Sequence, residues 1–153
     1  MIFTFLGTGC PVPSPLRAGP GHLVRAGSAR LLIDCGSGVA QRLVAAGERG
    51  AALLVCEVFV AREMVPTQGV RSAETVAAVR SYHMAPGEIA ALAKEAEVEA
   101  LALTHFVPPQ AERASLLAEI RETYRGPVIL GEDLMSIDVA ARMVTLPGLC
   151  LGY

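Results

Sequence analysis

Tryptophan is absent, and aromatic residues make up only 5% of the 153 positions. A surface that holds single-stranded nucleic acid by stacking its bases has little to be built from. An excess of one charge is missing too. Thirteen basic and fifteen acidic residues leave a formal net charge of −2, so no global field gathers polyanions. No long hydrophobic run occurs. The apolar opening Met1-Ile2-Phe3-Thr4-Phe5-Leu6 has no positive flank and meets Gly7. That is too short for a signal-peptide core or a membrane span. The four cysteines, Cys10, Cys35, Cys56 and Cys150, are scattered without a Cys-x-x-Cys pair. They read as small buried thiols in a reducing, cytoplasmic setting. Only three histidines occur, His22, His83 and His105, and no two are neighbours. A dense His/Asp cluster able to hold a metal by itself is therefore lacking.

What is present is core material. Hydrophobic residues reach 52% against 18% charged, which excludes a disordered chain. The length suits a single domain over 1–153, able to bury roughly two thirds of its unfolded surface. Residues 1–6 read as a strand, followed by an irregular loop over 7–21 in which Pro11, Pro13, Pro15 and Pro20 forbid a helix. Gly7-Thr8-Gly9 reads as a tight turn: the helix and third glycine of a dinucleotide loop are missing. Residues 22–26 and 30–34 predict a hairpin around Ala26-Gly27-Ser28, then a helix over 37–46 capped by Ser37 and stopped by Gly47. A near-continuous apolar strand over 52–59 belongs in a sheet covered on both faces. Helices are expected over 72–80, from Ala85-Pro86-Gly87-Glu88 onward and over 111–124, with strands at 99–104 and 127–130. The stretch 134–145 gives no clear pattern. Alternating strands and helices after an antiparallel start predict a layered α/β fold.

Four positions carry candidate chemistry. Asp34 ends an apolar strand and faces Cys35-Gly36-Ser37-Gly38, where backbone donors and a helix start are at hand. It can orient a neighbouring ligand, or simply cap the turn. Glu57 interrupts the apolar strand 52–59; a carboxylate there costs several kcal/mol unless it is paired. His83 is a natural partner, and a Glu-held His is an acid/base unit that works near neutral pH. A solvent-facing Glu57 at a strand edge is the alternative. His105 closes strand 99–104 before a Pro-rich loop, at the strand end where open α/β sheets meet ligands. Imidazole there is a possible metal ligand, although a lone His is more often structural.

Taken together, these segments resemble the metallo-β-lactamase-fold hydrolases, most closely the ribonuclease Z and arylsulfatase-like branch. Phe5-Leu6-Gly7-Thr8-Gly9-Cys10-Pro11-Val12-Pro13 is similar to the branch's opening strand and loop. Leu32-Ile33-Asp34-Cys35-Gly36-Ser37-Gly38 resembles its first motif, and Leu54-Val55-Cys56-Glu57 its late His-Glu motif, with Cys56 in place of His. Tyr82-His83-Met84 resembles the partner-His motif, and Leu103-Thr104-His105-Phe106 the last metal motif. The resemblance implies a layered αββα fold and a zinc-dependent hydrolase of phosphodiester or related ester bonds. Glu57 and His83 would then be catalytic, His105 a metal ligand and Asp34 a supporting residue, with RNA as a substrate class. The central His-x-His-x-Asp-His region has no counterpart, because Gly47-Glu48-Arg49-Gly50 passes directly into Ala51-Ala52-Leu53. The chain therefore resembles a family member shortened by an internal deletion. Two expectations follow: a hydrolase by ancestry that is inactive as an isolated chain with little or no zinc, or a non-catalytic remnant without a metal site. In either case apolar faces left by the deletion favour a homo-oligomer.

Overall fold

Strand β1 (Ile2–Gly7) pairs antiparallel with β2 (Gly21–Ala26), which turns at Gly27 into β3 (Ala29–Cys35). Gly27 has φ 61°, a left-handed conformation that glycine adopts without a Cβ penalty, and this closes the expected hairpin. This computed structural model describes residues 1–9, 16–48 and 50–153. The readings placed on Cys10, Pro11, Pro13, Pro15 and Arg49 lie outside the described residues. After β3 the chain forms α1 (Val39–Ala45), β4 (Leu53–Phe59), a 3₁₀ turn (Ala61–Glu63), α2 (Ala73–Arg80) and α3 (Pro86–Glu95). Strand β5 (Leu101–Val107), α4 (Arg113–Arg121), β6 (Val128–Leu130), β7 (Ser136–Asp138), β8 (Met143–Leu146) and β9 (Leu149–Gly152) follow.

The main sheet has six strands in the order β1-β2-β3-β4-β5-β6. Its first three are antiparallel, whereas β3, β4, β5 and β6 run parallel. Strand alternation sorts their side chains onto two faces. Leu32, Leu54, Cys56, Leu101 and Leu103 point to one face and pack with Val39 and Leu43 of α1, Ile89 and Ala93 of α3, and Leu116 and Ile120 of α4. Leu53, Ala100, Ala102 and Ile129 point to the other and meet Val144 and Ile137 of the small three-stranded sheet β7-β8-β9, with Met135 just before it. Fully burying each Leu, Ile or Val among these contributes roughly 1.5–3 kcal/mol. Helices, main sheet and small sheet thus make three layers. The strand over 52–59 is apolar throughout because β4 sits inside this arrangement, with neighbours on both edges and cover on both faces.

Several boundaries differ from expectation. Gly38, at φ 84°, occupies the cap position of α1, so Ser37 precedes the cap; its carbonyl instead accepts from Gly19 N at 2.9 Å. Helix α4 ends at Arg121, short of residue 124. Tyr124 turns inward there and its hydroxyl donates to the Val98 carbonyl at 3.0 Å. The unassigned stretch 134–145 holds β7 and the first part of β8. Gly7 serves close approach rather than a turn: a Cβ at this position would lie 1.8 Å from the Gly19 carbonyl oxygen. Of the described cysteines, Cys35 and Cys56 are buried but Cys150 is exposed, and all are free. No described helix is long and apolar enough to cross a membrane.

Candidate functional site

Parallel pairing decides where the candidate residues meet. Because β3, β4 and β5 run in the same direction, their carboxyl ends share one edge of the sheet. Asp34 stands near the end of β3, Glu57 near the end of β4 and His105 near the end of β5. The chain passes from β3 through α1 into β4, and β3 and β4 are direct neighbours in the sheet. His83 arrives from elsewhere, on the segment leading into α3. The backbone fixes that segment, since Phe59 N donates to the Met84 carbonyl at 2.8 Å. Ala85 N donates to Glu88 Oε2 at 2.7 Å, tying down the start of α3. The Phe59 ring stacks on the His83 imidazole with centroids 6.1 Å apart and planes 18° from parallel.

The result is a cluster. Glu57 Oε2 contacts His83 Nδ1 directly, and His105 Nδ1 lies 3.4 Å from the same oxygen. The two imidazole rings face each other edge to face at 5.4 Å. Glu57 is no edge residue; β4 is flanked by β3 and β5, and the Glu57 side chain is only 22% exposed. A carboxylate only accepts hydrogen bonds, so the contact requires His83 to donate from Nδ1, leaving Nε2 as the exchangeable position. His105 is more open, with 65% of its side chain exposed.

The strand ends are unusual in backbone terms. Glu57 pairs with Thr104 and Val58 with Phe106, so His105 is an extra residue in β5, a bulge. Its φ is 44°, and Asp34 has φ 54°. Non-glycine residues in this left-handed region are uncommon and carry strain, and such strain concentrates at functional sites. Strand β5 therefore continues past His105 to Val107, where the sequence placed its end at residue 104. Both residues line a cavity of about 740 Å³, together with Glu57, His83, Cys35 and Cys56. Among the described residues, the Asp34 carboxylate makes no hydrogen bond, although it lines the same cavity.

Neither cysteine in the wall is poised as a nucleophile or ligand. Burial, with smaller effects from Glu95 and Asp34, pushes the Cys35 thiol up to about 12. Burial raises Cys56 further in the same direction, so it is a neutral core thiol. His22 is not brought to the site; its ring packs at 5.3 Å from Phe3 and 5.5 Å from Phe5, on the sheet hairpin.

With this geometry in view, comparison with known proteins is informative. Ribonuclease Z of Mycobacterium tuberculosis H37Rv is 58% identical over 50 residues, which is 33% of this chain and 18% of that protein. The Mycobacterium avium ribonuclease Z matches at the same level. The solved structure of the metallo-β-lactamase fold protein YhfI from Bacillus subtilis superposes with TM-score 0.56 at 20% identity. It covers 85% of this chain and 46% of YhfI. The chain has a metallo-β-lactamase fold. No protein-family model matches it. This metallo-β-lactamase-fold chain spans under a fifth of the length of the curated relatives, at 18%. It represents less than half of YhfI.

The fold implies a metal, and the donor chemistry here is compatible with one. Two imidazole nitrogens and a carboxylate oxygen all lie within 4.8 Å of one another. A His₂Glu set with an open position is a ligand combination used by catalytic zinc sites. Sequence reasoning identified the members individually but missed two features that position them. The Phe59 ring against His83 has no motif to announce it, and the bulge at His105 depends on pairing between strands far apart in sequence.

Proposed function

We propose that this chain carries the proton-transfer part of a metal-dependent phosphoester hydrolase and that, isolated, it does not turn over. The single observation that carries this reading is the Glu57–His83 contact at the mouth of the cavity, beside His105. Glu57 holds His83 in the Nδ1–H tautomer. A proton placed at Nε2 can then pass to the leaving oxygen of an ester. Where another chain supplies the missing ligands, His105 would hold the ion, whose chemistry when bound is to polarise the phosphoryl group and activate water at neutral pH. The strand-end cavity gives an ester room to approach these groups. Similarity to ribonuclease Z makes RNA phosphodiesters the favoured substrate class, in a cytoplasmic protein.

The inactivity follows from the ligand count. A catalytic zinc site takes three protein ligands and an open position. With Glu57 and His83 committed to proton transfer, His105 is the one remaining imidazole at the cluster. Purified chain supplied with zinc should hydrolyse a phosphodiester reporter no faster than buffer does. Zinc-dependent turnover would overturn the inactivity, and an Nε2–H tautomer of neutral His83 in nitrogen NMR spectra would overturn the relay.

A second reading, a non-catalytic and self-associating remnant, is favoured by the uncovered hairpin end of the main sheet. Phe3 is 50% and Phe5 67% exposed, side by side on an edge strand, whereas the small sheet covers the opposite end. We place a second copy of the chain there. Light scattering after size exclusion should report a dimer that F5S shifts toward monomer; a monomer at all concentrations refutes this reading.

A further inference from the structure

We propose that Glu57, His83 and His105 together bind one divalent transition-metal ion of the zinc class, with Glu57 and His83 acting as ligands. This assigns the acid/base pair a second role, as two sides of a rebuilt site that replaces the ligand set the sequence lacks. Three observations carry it.

The donor types are suitable. Two imidazoles and one carboxylate suit zinc and its neighbours, and disfavour magnesium and calcium, which prefer all-oxygen shells. The spacing between His105 and Glu57 is suitable as well. Zinc bonds of about 2.0–2.2 Å imply ligand atoms roughly 3.3–3.6 Å apart along a tetrahedral edge. His105 Nδ1 and Glu57 Oε2 are 3.4 Å apart, and the farthest separation in the group is within 4.8 Å. His83 Nδ1 touches the Glu57 carboxylate, closer than two ligands of one ion stand, so an ion would displace the proton between them and part the two side chains.

The surroundings hold the ligands in place and leave one side open. Phe59 stacks on His83, and the bulge with its left-handed φ of 44° presents His105 toward β4. Among the described residues, the side-chain partners of the Glu57 carboxylate are these two histidines, with no Arg or Lys bridged to it. The cavity leaves room for a solvent ligand at the fourth position. An ion held this way removes both His83 Nδ1–H and the free carboxylate, so ion binding and proton relay exclude one another. That accounts for an isolated chain that holds metal and yet cleaves nothing. The inference stands whether or not any ester is hydrolysed, since its readout is the ion itself.

The test is titration of the metal-free 153-residue chain with zinc by calorimetry, and with cobalt(II) by visible absorption. The wild type is compared with Glu57→Gln, His83→Ala and His105→Ala, each checked for folding by circular dichroism. One ion per chain is expected, with each substitution weakening it by at least about 100-fold. Tetrahedral cobalt should give intense visible bands. Absence of binding overturns the proposal. So does binding that only His105→Ala weakens, which leaves Glu57 and His83 free of the ion. Should a variant fail to fold, the wild type still decides the matter through histidine acylation by diethyl pyrocarbonate, mapped by mass spectrometry. Zinc should protect His83 and His105 together while leaving His22 unchanged; protection of His105 alone refutes the shared site.

Discussion

Removing the Glu57 carboxylate and the His83 imidazole, singly and together, measures whether they act as a unit. A hydrogen bond with one charged partner contributes about 1.5–3 kcal/mol when shielded from water. Here the His83 and Glu57 side chains retain 14% and 22% of their exposure. Solvent therefore screens the pair in part, which places the coupling near the low end, about 1.5 kcal/mol. For a chain of this length that corresponds to roughly 3–6 °C in Tm. The assay is a double-mutant cycle of Glu57→Ala and His83→Ala by urea denaturation, with a chelator present so that no bound ion contributes. The singles should each cost more than the coupling, because Glu57→Ala also removes stem packing and His83→Ala removes the surface that Phe59 stacks on. The double variant should fall short of their sum by about 1.5 kcal/mol. A coupling below about 0.3 kcal/mol would show that the two side chains are independent solvated groups, and the relay reading would fail with it.

Three further outcomes can be checked. Burial pushes the Tyr124 phenol up to about 12, so its contribution is complete below the ordinary phenol range and lost as pH rises through about 10 to 12. Tyr124→Phe should cost about 1 kcal/mol at neutral pH by orphaning the Val98 carbonyl, yet lose less stability than wild type across that alkaline window; parallel urea midpoints would contradict this. Cys35, raised from the ordinary thiol range to about 12, should carry roughly a thousandfold less thiolate below pH 9. Iodoacetamide mapping should then find exposed Cys150 alkylated and Cys35 spared, and equal labelling would refute it. Gly36→Ala should destabilise by about 1–3 kcal/mol, since its Cβ would stand 2.9 Å from the Gly19 Cα. Gly87→Ala in α3, where nothing lies within 4 Å, should stabilise by about 0.5–1 kcal/mol; thermal melts that rank the two alike would overturn the packing argument.

Much of this molecule is legible along the chain because the signals are local. The apolar run of β4, the glycine that turns β2 into β3, and Pro86 in the first turn of α3 each act over a few residues. Each is dictated by backbone sterics or by the periodicity of burial. Glu57 was conspicuous for the same reason: a carboxylate among apolar neighbours demands a partner. The partner's approach and the cluster's geometry are different in kind. Tertiary structure alone set the parallel register that aligns three strand ends, the bulge that turns His105 toward β4, and the Phe59 ring that steadies His83. The same holds for the small sheet, whose strands stabilise only by covering Leu53, Ala102 and Ile129. Local sequence fixes which residues want a strand, a turn or a partner. Contacts between distant segments, paid for by burial across the whole sheet, choose which partner each one meets.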